Sequence, residues 1–287
     1  MSHLSIQATN AFFYYQDVEK AWAFYRDVLG LETAVDYGFA KIMRVAHNSY
    51  LTLVDVASGM HSADEPKSVA IALVTEQVEG WYDYLTRLGV PIRNPYQRRE
   101  GSAHDGFVAF DPEGYYLEIE RFNLHPENET LLPILAALPP TYSVGGTRPP
   151  ELEIRATVLW LYYNNLARAE QFYESLLGIN LLVDQGWAKV YQVTGSSFLG
   201  PVSGEKGMHP ATEQKAVTVS FFTADVNGWF AHATAHPDFR LRTPEVTDES
   251  NLVHIFVGYD PEGYFLEWDT FLPLPPNERL LQLLAQP

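Results

Sequence analysis

FYRDVLGL (residues 24–31) returns as FYESLLGI (172–179), and DPEGYYLE (111–118) returns as DPEGYFLE (260–267). Between these anchors the correspondence runs at an offset of 148, becoming 149 further on. Ala40-Lys41 matches Ala188-Lys189, Gly59-Met60-His61 matches Gly207-Met208-His209, and Gly80-Trp81 matches Gly228-Trp229. One insertion or deletion accounts for the change of offset, so the chain is a duplicated domain and not a short-period solenoid. Each position can therefore be judged twice. A chemical group missing from both copies is doubly excluded.

A chain of 287 residues suits two domains of ordinary size, and 46% hydrophobic with 14% aromatic residues excludes a largely disordered protein. No apolar run approaches the roughly 20 residues that cross a bilayer, and the start MSHLSIQ lacks the basic and apolar regions of a secretory signal. The absence of cysteine removes disulfides and thiolate chemistry, which fits a cytoplasmic protein. A formal charge of −17 repels phosphate backbones and anionic lipid, so neither nucleic acid nor a membrane is expected as a partner.

Within the first copy, AFFYYQ (11–16) reads as a strand and Asp17 as an N-cap. Val18, Ala21, Trp22, Tyr25 and Leu29 recur at helical spacing up to Gly30. FAKIMRV and SYLTLVDV alternate as paired strands about His47-Asn48. Residues 68–75 form another strand, Val78, Trp81, Tyr82 and Leu85 a second helix ended by Gly89, and GFVAFD and YYLEIERF two strands joined by Pro112-Glu113-Gly114. Each copy is thus two similar halves of strand, helix and several strands. PENETLLPILAAL recurs as PPNERLLQLLAQP, a short amphipathic helical segment closing each copy. PPTYSVGGTRPP (139–150) reads as a linker. The expected division is a module over 1–138, a linker over 139–151 and a module over 152–287.

FYRDVLGL after a strand, and GYYLEI on a strand after the DPEG turn, each occurring twice, resemble the vicinal oxygen chelate superfamily. That superfamily includes glyoxalase I, extradiol dioxygenases and bleomycin-resistance proteins. The resemblance covers nearly all of both copies. It implies an α+β fold of tandem modules, each made of two βαβββ units whose curved sheets form a cup around a ligand. Metal-dependent members draw ligands from the start of the first strand and from the last strand of each unit. Carried onto this chain, those positions hold Asn10, Thr52, Ala70 and Glu118 in the first copy and Val158, Gly200, Thr218 and Glu267 in the second. A catalytic divalent site needs about three donors with a position left open. Only the two glutamates qualify, so neither metal nor other cofactor is expected.

Glu118 and Glu267 lie in apolar strands. They are either acid–base groups tuned by burial or structural partners of a lysine or tyrosine, and Glu120 and Asp269 share their face. His104 and His254, near the expected mouths, are the further catalytic candidates, against a structural reading as hydrogen-bonded histidines. His61 and His209 recur in GMH loops. Strand alternation puts Phe12 with Tyr14 and Trp160 with Tyr162 on shared faces, and the resemblance implies that these are concave faces carrying Glu118 and Glu267, with Lys41 a charged contact in the first cup and Lys189 in the second. Either lysine is as readily a solvated outer residue. An aromatic cup with few polar groups suits a small aromatic or apolar ligand.

The expected function is metal-independent sequestration or resistance-type binding. The rivals are a lyase, isomerase or dioxygenase of the same fold, and a dimerisation module with filled cups. The two modules are expected to pack through an intrachain pseudo-twofold relation, since closed twofold contacts are the commonest arrangement of identical partners.

Overall fold

The computed structural model describes residues 4–286. The first copy runs β1 (Ala8–Tyr15), α1 (Val18–Ala23, continued by a π-helical turn over Phe24–Val28), β2 (Glu32–Asp36), β3 (Ala40–Ala46) and β4 (Ser49–Asp55). It continues with β5 (Val69–Val74), α2 (Val78–Arg87), β6 (His104–Phe110), β7 (Tyr116–Phe122) and α3 (Leu131–Ala137). The second copy runs β8 (Ala156–Tyr163), α4 (Leu166–Leu177), β9 (Asn180–Asp184), β10 (Lys189–Thr194) and β11 (Ser197–Ser203). After these come β12 (Val217–Phe222), α5 (Val226–Thr234), β13 (Arg240–Leu241), β14 (Thr247–Glu249), β15 (Val253–Tyr259), β16 (Phe265–Phe271) and α6 (Glu278–Leu284). Helix starts follow the sequence chemistry. Asp17, Asn165 and Asp225 each accept a hydrogen bond from the backbone N–H three residues on, satisfying one of the orphan donors of the first turn. Gly30 and Gly89 end their helical runs at φ +63 and +72, where a side chain would be strained.

The strands form two mixed sheets, ordered β13-β15-β16-β12-β1-β4-β3-β2 with β14 beside β15, and β6-β7-β5-β8-β11-β10-β9. The fold is α+β, built of the expected units. The units are joined reciprocally across the copies. β1 pairs antiparallel with β12, from Ala8 opposite Phe222 to Phe13 opposite Val217. β5 pairs antiparallel with β8, from Val69 opposite Leu161 to Val74 opposite Ala156. Each sheet, and hence each cup, takes one unit from each copy.

The two units of one copy meet back to back instead. Their convex faces and the helices share one continuous core, in which Phe13 stacks on Tyr115 with ring centroids 4.0 Å apart. The repeated DPEGY motif fastens this contact. Asp111 accepts from the turn N–H groups of Glu113 (3.0 Å) and Tyr115 (2.8 Å) and from the hydroxyls of Tyr15 (2.7 Å) and Tyr25 (3.2 Å). Glu113 accepts from the backbone of Gln16 and Asp17, and the Tyr115 hydroxyl reaches the Ala216 carbonyl of the other copy at 2.7 Å. Asp260, Glu262 and Tyr264 repeat these roles, with Tyr264 donating to Ser68 O.

Residues 139–150 do not hang free. Val144 N–H donates to Gly30 O, Thr147 N–H to Asp27 O, and the buried Arg148 guanidinium donates to Leu29 O at 2.9 Å under the Trp81 ring.

Candidate ligand-binding cups

The larger cup lies on the nine-stranded sheet. Alternation along β1, β4, β12 and β16 sends Asn10, Phe12, Tyr14, Thr52, Glu267 and Asp269 to its concave face, around a cavity of about 300 Å³. Tyr37, Phe39, Met60 and Arg242 stand among its walls. Thr52 donates to Asn10 Oδ1 at 3.0 Å, the Tyr14 hydroxyl bonds Thr218 Oγ1 at 2.8 Å, and Ser220 donates to Asp269. The Asn10 Nδ2 group is buried without a hydrogen-bond partner and lines the cavity.

Glu267 and Asp269 are 5% and 2% exposed. Burial, then the neighbouring Asp269 charge, pushes Glu267 well above the usual carboxylate range. Burial raises Asp269 to about 6, offset by hydrogen bonds from Glu267 and Ser220. The pair therefore retains a proton at pH values where an exposed pair would have lost both, and burial favours Glu267 as its holder.

These donors do not suit the divalent ion that the superfamily resemblance implies. The Asn10 amide oxygen is occupied by Thr52 and the Thr218 hydroxyl by Tyr14. No group of three or more His, Cys, Asp or Glu placed to hold a metal ion occurs among the described residues.

The smaller cup lies on the seven-stranded sheet and has the same acids in other surroundings. Register sets Glu118 opposite Val108 and Glu120 opposite Gly106. The positions equivalent to Asn10, Thr52, Thr218 and Ser220 hold Val158, Gly200, Ala70 and Ala72. Trp160, in place of Phe12, packs on Gly200 so closely that a Cβ there would fall inside the indole. What remains is a chamber of about 70 Å³ lined by Trp160, Tyr162, Glu118 and Glu120, beside a cleft of about 610 Å³ under residues 94–102. Burial raises Glu118 to about 7, with the Trp160 indole offsetting part of the rise, and pushes Glu120 well up, with Glu118 and Asp105 adding to it.

The structure regroups the residues singled out in the sequence. Phe12 and Tyr14 share a cup with Glu267, and Trp160 and Tyr162 share one with Glu118, because the sheets cross between the copies. Lys41 is not a cup residue. Its neighbours Ala40 and Ile42 line the cavity, and its ammonium lies on the helix face between Asp36 and Glu19 (3.1 Å) over the Trp22 ring. Lys189 is likewise held by Asp184 and Glu170. His104 does face the smaller cup, bonded to Gln185 at 3.3 Å. His254 does not face the larger one. Val253, Ile255 and Val257 take the concave positions of β15, leaving His254 on the other face, 3.7 Å from Asp248. His61 packs between Tyr14 and Phe265, and His209 between Tyr116 and Tyr162. Ser220, Arg242 and the Trp160 plug were missed in the sequence. The exchange of Phe12 and Thr52 for Trp160 and Gly200, large for small across one strand pair, was the available signal.

The buried acids predict how stability depends on pH. A carboxyl whose folded pKa is raised stabilises the fold below its unfolded pKa and loses that contribution as pH rises through the folded value. Buried His61, His104 and His209 have lowered values and act oppositely, but only below about 6.5. Above that pH the carboxyls act alone. Calorimetry should show the melting temperature falling from about pH 6.5 to 8.5, with the slope reduced in Glu118→Gln and Glu267→Gln. A rise over that range would contradict the assignment.

Residues 5–119 match the family model described as the Glyoxalase/Bleomycin resistance protein/Dioxygenase superfamily. No curated protein matches the chain in sequence. Among solved structures, glyoxalase I from Zea mays is similar over 98% of this chain and 95% of its own, at 16% identity and a TM-score of 0.64. A protein of Bacillus subtilis subsp. subtilis str. 168 described as a candidate dioxygenase is similar over 94% of this chain and 86% of its own, at 15% identity and the same TM-score. At such identities the likeness is one of fold. The first copy thus matches the Glyoxalase/Bleomycin resistance protein/Dioxygenase superfamily in sequence, and the whole chain has the fold of these solved structures as a tandem pair of copies.

Proposed function

We propose that the chain is a metal-independent small-molecule-binding protein of the sequestration or resistance type, with the larger cup as its working site. The observation that carries this reading is the contrast between equivalent cups. One keeps an aromatic-walled cavity of about 300 Å³ with a buried carboxyl pair, while in the other Trp160 leaves only a chamber of about 70 Å³ beside a polar cleft. A small aromatic or apolar ligand fits those walls, with an oxygen accepting from Asn10 Nδ2 and a hydroxyl or amine facing Asp269. The lack of cysteine suits a reducing, cytoplasmic setting, and no helix among the described residues is long and apolar enough to cross a membrane.

Native mass spectrometry with elemental analysis of freshly purified protein tests the reading. The expected result is a retained small molecule without stoichiometric transition metal. About one equivalent of zinc, manganese or iron per chain would overturn metal independence. Glu267→Gln keeps the shape of the floor and replaces a carboxyl that burial holds protonated, so it should weaken binding of the retained molecule by about 0.5 to 1.5 kcal/mol, the range for a hydrogen bond between uncharged groups. Unchanged affinity in a folded variant would remove Glu267 from the site. One observation favours a second reading, a lyase, isomerase or dioxygenase of the same fold: Asp269, raised to about 6, exchanges its proton near neutrality. Turnover of the retained molecule, abolished in Asp269→Asn, would select that alternative.

A further inference from the structure

Glu120 in the smaller cup lacks the partners that buried acids ordinarily have. Glu120 is 3% exposed, lines both the chamber and the cleft, and its Oε2 makes no hydrogen bond. Neither Glu118 nor Glu120 joins an ion pair among the described residues. No hydroxyl replaces Ser220 here, because the equivalent position is Ala72. Asp105, on the far side of β6, is already held by Arg121 at 2.9 Å. An unsatisfied buried carboxylate costs several kcal/mol in general, so such a pair either stays protonated or awaits a cation. A divalent metal is a poor occupant, since the necessary third ligand is missing.

We propose that the smaller cup binds an organic ammonium ion, its head between Glu118, Glu120 and the Trp160 and Tyr162 rings and its body in the cleft beneath residues 94–102. A chamber of about 70 Å³ takes an ammonium head and little more, while the cleft of about 610 Å³ has room for the body. The Trp160 ring adds cation–π attraction, strongest where water is excluded. The other charged or titratable groups near the pair are His104 and Asp105 on β6, the latter paired with Arg121, and Arg99 at the cleft wall. Burial lowers His104, so it is neutral at pH 7 and does not oppose the ligand. Because burial also raises the two acids, an arriving cation displaces protons from them, and affinity increases with pH. This inference stands apart from the reading of the larger cup and survives its failure.

The test uses the full chain with phenethylamine and, as its neutral counterpart of similar shape, 2-phenylethanol. Titration calorimetry should show the amine binding at least about tenfold more tightly than the alcohol. Binding should be tighter at pH 8 than at pH 6, and the apparent enthalpy should change with the buffer's ionisation heat as protons are released. Glu120→Gln should weaken the amine about tenfold or more. Equal binding of amine and alcohol, no binding of the amine at millimolar concentration, or full affinity in a folded Glu120→Gln variant would each overturn the proposal. If that variant does not fold, the comparison of amine with alcohol and the pH dependence in the unaltered protein decide.

Discussion

Residues 1–140, expressed alone, should form a dimer in analytical ultracentrifugation and should not persist as a stable monomer. Within this half the tyrosine brace to Asp111 and the Phe13–Tyr115 stack remain, so its two units can still assemble back to back. Both central strand edges, however, are stripped. β1 loses β12 and β5 loses β8, leaving two rows of unpaired backbone donors and acceptors beside bare concave faces. The remedy available to identical halves is reciprocal pairing of β1 with the other molecule's β5, the closed arrangement that duplication and fusion preserve. The cups of that dimer would place Phe12, Tyr14 and Thr52 with Glu118, a combination the intact chain separates. Adding residues 141–287 should draw the half into a mixed complex, because β12 and β8 have the matching registers. A monomeric, cooperatively melting half would show that the strand pairing across copies is dispensable.

Asp111→Ala should cost about 4 kcal/mol and lower the melting temperature by roughly 10 °C, with Asp260→Ala behaving alike. Asp111 is 4% exposed and serves four donors at once. Its removal strands two tyrosine hydroxyls in the core and two N–H groups in the turn, each costing about 1–3 kcal/mol when left unsatisfied. Tyr15→Phe and Tyr25→Phe remove one donor each and should cost about 1 kcal/mol apiece. Combined with Asp111→Ala they should add little, since the shared acceptor is already gone. Urea unfolding of the single and double variants measures this coupling. A loss below about 1 kcal/mol in Asp111→Ala would mean that the turn stands without its carboxylate.

The repeats alone were enough to read the duplication, the halves of strand, helix and several strands, and the helix caps, because these depend on local periodicity and on residues near in sequence; the βαβββ units and the α+β class came with the superfamily resemblance. Asp17 caps α1 as its position suggests, and Gly30 closes the helical run with a positive φ. Alternation likewise set Glu118 beside Glu120 and Glu267 beside Asp269 on shared faces, since the side-chain period of a strand is two wherever the strand lies. The same argument misjudged Lys41, and nearness to the expected mouth misjudged His254. Each sits one residue from a concave position, and a shift of one reverses the face.

Strand partnership was beyond local reading. β1 could have paired with β5 or with β12, two apolar edges of nearly equal character. The choice was made by long-range contacts, the Asp111 and Asp260 braces that turn the units of one copy back to back and the docked segment around Arg148. That choice put Glu267 with Tyr14, and Glu118 with Trp160. The sequence by itself determined which acids face a cup; tertiary packing decided whose cup they face and which cup stays open, because a sheet edge selects its partner by what the rest of the core brings within reach.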